Sequence, residues 1–436
     1  MHKYKKSLVL GCGRSGRAAE ALLRTDGTPS VCICEEINPD YCYEDLHFTP
    51  EIAIVSPGFS MDHPWIKDLI ARGIPLLSEL EFGWSRRHCP VIAVTGSNGK
   101  STVVKWIVDA LAQAGQRAIP CGNYGLPVSA AVMLPEIPDW LVIEVSSFQL
   151  ETIDQFRPDI GVLLNVLPNH LDRHGNMDTY RTIKLRLFEN MQRSDTAILP
   201  VDFFQTLEKV EGVFSMFGKK SEGALRQWKT FGTQEGADYR FAGGHVGEVD
   251  LSGTYFDNEV LGAAGAAVAA VCEACDLPPS AVEASARKFQ PLPHRMQTVA
   301  EVNGIKFIDD SKATNLAGMC AALRMTSGSV HLIAGGRAKE TDLSFAKDLL
   351  VKQVSRLYLI GEASEAMQAA WVDSVECLPC ETLEQAVCAA WESAEPGDTV
   401  LLSPACTSFD QFRSFNERGE LFAREVCRLT GECVEA

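Results

Sequence analysis

Val91–Thr102 reads VIAVTGSNGKST. The apolar run from Val91 to Val94 makes a short buried strand. Gly96 and Gly99 bracket a tight loop around Ser97 and Asn98, and Lys100, Ser101 and Thr102 open a helix. Strand, loop and helix start form an anion cradle: glycines let backbone N–H groups approach a phosphate, and the helix N-terminus adds partial positive charge. Lys100 can reach the terminal phosphates, and the Ser101 hydroxyl can ligate Mg²⁺. Two residues separate the glycines where the usual template has four. The helical pattern VVKWIVDALAQAG that follows favours a phosphate loop over a turn that happens to hold Gly-Lys-Ser.

The chain has 436 residues, too many for one core, and 46% are hydrophobic, which predicts a globular protein of several domains. The formal charge of −17 argues against nucleic acid or an anionic membrane as partner. Fifteen cysteines without a secretory signal point to free thiols in a reducing cytoplasm. No apolar run approaches the roughly twenty residues that span a bilayer. Cys272–Cys275 and Cys377–Cys380 have CxxC spacing and together can supply four zinc ligands. The first pair lies in an alanine-rich helix and the second in another domain, so both read as small apolar fillers.

Three α/β units follow one another: a Rossmann-like N-terminal domain over 1–88, a central P-loop mononucleotide-binding domain over 89–291, and a Rossmann-like C-terminal domain over 292–436. The first begins with a strand at Ser7–Leu10, then Gly11-Cys12-Gly13-Arg14-Ser15-Gly16, and a second strand ending at Glu35 and Glu36. This is a dinucleotide fingerprint, and it predicts a diphosphate on the helix N-terminus without specifying nicotinamide. In the central unit, strands at Trp140–Val145 and Ile160–Val166 put Glu144 and His170 beyond strand ends, on the edge that holds the phosphate loop. Glu211–Gly253 is poorly patterned. Gln290-Pro291-Leu292-Pro293 is a linker, beyond which strands resume at Ile305–Ile308, Val330–Ala334, Leu357–Ile360 and Thr399–Leu402.

Glu144 ends an apolar strand, where a carboxylate can bind Mg²⁺ or its water beside the phosphates. His170 has a weaker independent case, since a lone loop histidine is more often structural than a ligand, and Lys184 is an ordinary helix lysine with no signal of its own. Asp310, Lys312, Thr314 and Asn315 form a polar strand-to-helix turn that suits a nucleotide or a second substrate, or a helix capped by Thr314.

The combination resembles the Mur ligases, ATP-dependent amino-acid-adding enzymes of peptidoglycan synthesis. The likeness runs almost end to end: TGSNGKST (Thr95–Thr102), GNYGLPV (Gly122–Val128), EVSSFQLE (Glu144–Glu151), NHLDRHG (Asn169–Gly175), YRTIKLRLFEN (Tyr180–Asn190), LPHRM (Leu292–Met296), DDSKATN (Asp309–Asn315) and LLSPACTSFDQFRSF (Leu401–Phe415). The SKATN and SPAC segments point to the D-glutamate-adding branch.

The resemblance implies a cytoplasmic monomer acting on UDP-N-acetylmuramoyl-L-alanine and D-glutamate with ATP. Ser15 and Gly16 would meet the UDP diphosphate, with Glu35 and Glu36 towards uracil and ribose. Asn123 and Ser146 would contact the muramoyl substrate. Ser101, Glu144, His170 and a Lys184 carbamylated by CO₂ would ligate two Mg²⁺ ions. Arg295, Asp310 and Lys312 would meet ATP from the third domain, closing about a hinge near Pro293. Thr314, Lys339, Ser408 and Phe415 would line the D-glutamate pocket. Two stretches depart from the family pattern. Relatives have an Asn-rich HNxxN helix start that contacts adenine, where this chain has Asn258-Glu259-Val260-Leu261-Gly262. Arg337 and Ala338 stand where relatives often have Asp and Gly. Competing readings are a ligase for another amino acid, a folylpolyglutamate-type ligase, a nicotinamide oxidoreductase built on the first fingerprint, and a non-catalytic nucleotide-binding module.

Overall fold

The computed structural model describes residues 5–34, 43, 46, 48–208, 227–340 and 342–431. Glu35, Glu36 and part of the poorly patterned stretch lie outside them. The described residues form three sheets in an α/β arrangement. The first is parallel, in the order β2-β1-β3-β4, with β1 Ser7–Leu10, β2 Ser30–Ile33, β3 Ile52–Val55 and β4 Leu76–Ser78. The chain reverses direction across this sheet between β1 and β3, and the helix Arg14–Thr25 starts at that switch point.

The second sheet contains β5 Val91–Thr95, β6 Ala118–Gly122, β7 Trp140–Glu144, β8 Ile160–Leu163, β9 Thr196–Pro200, β10 Gln227–Gly232, β11 Tyr239–Ala242, β12 His245–Val246 and β13 Val249–Asp250. Their order is β13-β12-β11-β10-β9-β8-β5-β7-β6. Strand β5, between β8 and β7, is apolar on both sides because both faces are covered. Ile92 and Val94 pack with Trp106, Ala266 and Val282 of three helices, whereas Val91 and Ala93 pack with Val128, Phe156 and Phe188. Trp106 stacks on Phe256 at 3.6 Å between ring centroids and donates to Ser285 Oγ at 2.8 Å. Cys272 and Cys275 are buried in this core.

The third sheet runs β14-β15-β19-β16-β17-β18, with β14 Gln297–Val302, β15 Ile305–Asp309, β16 Val330–Gly335, β17 Val354–Ile360, β18 Glu376–Pro379 and β19 Thr399–Leu402. Only β14 is antiparallel, joined to β15 by Asn303-Gly304 with φ of 53° and 77°. The helices and strands with predicted bounds lie within a few residues of them, but β9, β14, β18 and many of the helices, among them Leu316–Met325 and Leu383–Ser393, fall outside the predicted set. The helix predicted from Asp178 to Met191 is Met177–Leu185 followed by a tighter 3₁₀ turn over Arg186–Phe188.

The chain divides into two compact units. One runs to Val166 and resumes from Asn176 to Phe289; the other comprises Leu167–Gly175 and the chain from Gln290 onward. In the first, buried Glu81 accepts from the backbone N–H groups of Asp154, Gln155 and Phe156 at 2.9–3.1 Å, and Glu79 accepts from Ser129 N at 2.5 Å. These carboxylates tie the helix Glu79–Trp84, which follows β4, to segments that connect strands of the second sheet, the short helix Val128–Ala131 and the stretch 154–156. The basic pair after this helix is also held: Arg86 pairs with Asp26 at 2.9 Å, and Arg87 lies over the Trp84 ring.

Candidate active site

In the first unit, the loop after β5 needs its glycines. Gly96 has φ of 156° and Gly99 85°, and a Cβ on Gly96 would come within 3.0 Å of Leu164. The helix Lys100–Gln113 starts on Gly99 without a side-chain cap, and its N-terminus brings partial positive charge to the loop. Asn165, beyond β8, braces the loop: its Oδ1 accepts from Ser97 N and Asn98 N at 3.0 and 2.9 Å, and its Nδ2 donates to Asn98 O at 3.1 Å. Tyr180 Oη lies 3.1 Å from Ser97 Oγ.

Two lysines converge on one carbonyl. Lys100 Nζ donates to Gly96 O at 2.8 Å and to Ser97 O at 3.0 Å, while Lys184 Nζ donates to Gly96 O at 2.9 Å. Lys184 is 1% exposed. Burial, reinforced by the neighbouring Lys100 charge and opposed by Glu144, holds its amine well below the usual lysine range.

Glu144, 2% exposed, ends β7 beside Val94 of β5. Its two carboxylate oxygens accept from Ser101 Oγ and from Asn123 Nδ2, each at 2.6 Å. A buried carboxylate and a hydroxyl are hard oxygen donors of the kind Mg²⁺ takes. Ser146 caps the short helix Ser147–Leu150 in a capping box with Gln149. At the first sheet, Gly16 packs so closely that a Cβ would meet Gly11 O, Ser15 lies in the uncapped first turn, and Arg14 donates to Gly125 O of the GNYGLPV loop at 3.0 Å.

The second unit gathers another set. Asp310 Oδ2 accepts from Ser403 Oγ at 2.9 Å and Oδ1 from Met296 N at 3.2 Å, and burial pushes its carboxyl up to about 7. The adjacent Arg295 charge opposes that rise. Lys312 Nζ lies 3.8 Å above the Phe415 ring. The cap of the helix Leu316–Met325 is Asn315, which accepts from Gly318 N; Thr314 does not serve as the cap. Asn, a better N-cap residue than Thr, takes the position one residue later. Lys339 lies 3.5 Å from Asn169 Oδ1, and His170 belongs to the same unit, so the four expected metal ligands divide between units. Ser408 is buried, and its carbonyl accepts from Phe412 N at 2.8 Å.

Arg418 is a site-shaping residue outside the predicted set. It is fully buried in the helix Phe415–Thr430, donating to Ser311 Oγ at 3.0 Å, Ser311 O at 2.9 Å and Cys406 O at 3.0 Å. It thus fastens the SKATN turn to the SPAC turn. Neither Asn165 nor Arg418 has a local signal, because each acts through distant backbone. Asn258 uses its amide to cap the helix Glu259–Ala274, accepting from Leu261 N at 2.9 Å. Arg337 forms an exposed ion pair with Glu362.

The Mur ligase middle domain matches residues 94–267, and the Mur ligase glutamate ligase domain matches residues 294–406. The chain belongs to the Mur ligase family. This Mur ligase is 34% identical over 98% of both chains to the UDP-N-acetylmuramoylalanine–D-glutamate ligase of Koribacter versatilis. It is 36% identical to the enzyme of the same name from Syntrophotalea carbinolica, over 87% of this chain and 84% of that one. Its fold is similar to MurF ligase of Thermotoga maritima in complex with ADP (TM-score 0.61, 16% identity, 87% and 90% of the two chains). It is also similar to UDP-N-acetylmuramate-alanine ligase of that organism (TM-score 0.59, 16% identity, 98% and 100%). Among the described residues, no helix is long and apolar enough to cross a membrane.

Proposed function

We propose that this Mur ligase joins D-glutamate to UDP-N-acetylmuramoyl-L-alanine, with ATP cleaved to ADP and phosphate. The observation that carries the reading is the buried Glu144, joined to Ser101 and Asn123 beside a phosphate loop. The end-to-end likeness to the two D-glutamate ligases selects the substrates. On this reading the domains are residues 1–88, 89–291 and 292–436, and a monomer supplies every assigned residue.

The alanyl carboxylate attacks the γ-phosphorus of ATP in line, ADP leaves, and an acyl phosphate forms. The D-glutamate amine then attacks the acyl carbon, loses a proton, and the tetrahedral intermediate expels phosphate to leave an amide. The phosphate loop over Gly96–Gly99, held in shape by Asn165, the start of the helix Lys100–Gln113 and the Lys100 ammonium hold the β- and γ-phosphates, so catalysis is mainly positioning and charge stabilisation. Ser101, Glu144, His170 and modified Lys184 would hold Mg²⁺, which supplies charge neutralisation on the transferring phosphoryl group. The neutral amine of Lys184 adds to CO₂ and loses a proton to give a carbamate, turning a buried neutral group into an anion. Ser15 and Gly16 meet the UDP diphosphate, and Asn123 and Ser146 the muramoyl moiety. Arg295, Asp310 and Lys312 meet ATP, and Thr314, Lys339, Ser408 and Phe415 line the D-glutamate pocket. Phosphate release with UDP-N-acetylmuramoyl-L-alanine and ATP, measured for each amino acid separately, tests the assignment. Release stimulated by D-glutamate alone is expected; no preference for D-glutamate overturns it.

A further inference from the structure

Three half-buried thiols gather at the carboxyl ends of β1 and β2: Cys12, Cys32 and Cys34. Cys32 Sγ lies 3.2 Å from Cys12 Sγ and 3.6 Å from Gly11 O, and Cys34 also neighbours Cys12. None enters the chemistry above, yet Cys12 is the second residue of the GCGRSG turn. A disulfide has sulfurs about 2.05 Å apart, so closure here needs a movement of only about 1 Å.

We propose that Cys12 and Cys32 are an oxidation site whose disulfide draws the Gly11–Gly13 turn towards β2 and weakens diphosphate binding at the start of the helix Arg14–Thr25. The effect on binding rests on the UDP assignment made above; the disulfide itself does not. The Cys12 thiol loses its proton and attacks one sulfur of a low-molecular-weight disulfide, RSSR, releasing RS⁻. The Cys32 thiolate then attacks the Cys12 sulfur of the mixed disulfide and releases the second RS⁻. Two protein thiols are oxidised, and RSSR is reduced to two RSH carrying the two protons.

The turn has little slack to absorb the movement. Gly11 has φ of 101°, a Cβ there would lie 2.6 Å from Ser56 Oγ, and a Cβ on Gly16 would lie 1.7 Å from Gly11 O. A shift of the turn is therefore passed to the helix start. Burial raises both thiols, which slows closure at neutral pH and makes it faster as pH rises.

The test uses the full-length protein incubated with oxidised or reduced glutathione at about pH 8.5, in the ordinary thiol range. Samples are alkylated, digested and mapped by mass spectrometry, and steady-state kinetics are run on each. A Cys12–Cys32 linked peptide that reductant removes is expected. With it, KM for UDP-N-acetylmuramoyl-L-alanine should rise about tenfold, the equivalent of one charge-assisted hydrogen bond, with kcat little changed. Cys32→Ser should keep the kinetics of the reduced enzyme in both conditions. No linked peptide, or linkage through Cys34 instead, overturns the site; a linked peptide with unchanged KM overturns the effect on binding. Titration of the reduced protein with UDP by calorimetry tests the UDP assignment separately. Failure to bind there overturns that assignment, while the thiol pair still stands or falls with the linked peptide.

Discussion

Lys184 occupies a position where a lysine is costly: the last turn of a helix with 1% exposure and another lysine donating to the same carbonyl. Its amine titrates well below the usual lysine range because burial, then Lys100, disfavours the charge. A depressed folded value means that the neutral form is compatible with folding. Stability is full above the ordinary lysine value and is lost as pH falls from there through the depressed one. Lys184→Met should therefore fold at least as stably as the parent at neutral pH, by about 1 kcal/mol or more in urea melts, while D-glutamate-dependent phosphate release disappears. Retained turnover would refute the carbamate, as would the absence of a carbamate signal in ¹³C NMR with labelled bicarbonate. Asp310 shifts in the opposite direction, from 3.8 to about 7 by burial. Its contribution to stability is complete below 3.8 and is lost as pH rises towards 7. Between about pH 5 and pH 8, the stability of the parent relative to Asp310→Asn should fall by up to about 3 kcal/mol. An unchanged difference in urea midpoint would show that Asp310 titrates normally.

Elements show what patterns could and could not reveal. Strand β5, its loop and its helix are legible because apolar alternation, glycines and a basic-hydroxyl start all coincide locally. β14 is legible too, since Asn303-Gly304 is a two-residue hairpin signal between QTVAEV and IKFID, although the predicted strands resume only at Ile305. The brace on the phosphate loop is not legible, because Asn165 lies 67 residues beyond Asn98 and its value exists only in the folded contact. Asn165→Ala should leave the loop amides unheld and lower kcat/KM for ATP by about tenfold or more, with melting temperature little changed. An unaltered ATP profile would make the brace irrelevant to binding. Arg418 is hidden in the same way within an amphipathic helix. Arg418→Met would strand the carbonyls of Ser311 and Cys406 and cost about 3 kcal/mol. A urea midpoint equal to the parent's would contradict that.

At the scale of the molecule, charge and length exclude partners but do not divide the chain. Composition predicts several α/β domains, and the described residues form three sheets in two compact units. The N-terminal sheet shares a unit with the central one, for which the carboxylate contacts of Glu79 and Glu81 with backbone amides give a physical reason. No composition shift marks that attachment, because the buried acids sit in a helix start where acids are common anyway.

Leu167–Gly175 leaves the first unit and the chain then returns to it, so the backbone passes between units at 166/167, 175/176 and 289/290. The linker at 290–293 therefore looks like a recombination joint but is an incomplete one. A gene fragment encoding residues 294 onward would lack a segment of the same compact unit, one carrying Asn169 and His170. Chimaeras that swap the carboxyl-terminal piece between relatives at the linker alone would pair a foreign sheet with a native 167–175 segment. An exchange that carries 167–175 along with the piece from 290 onward would instead keep the second unit whole.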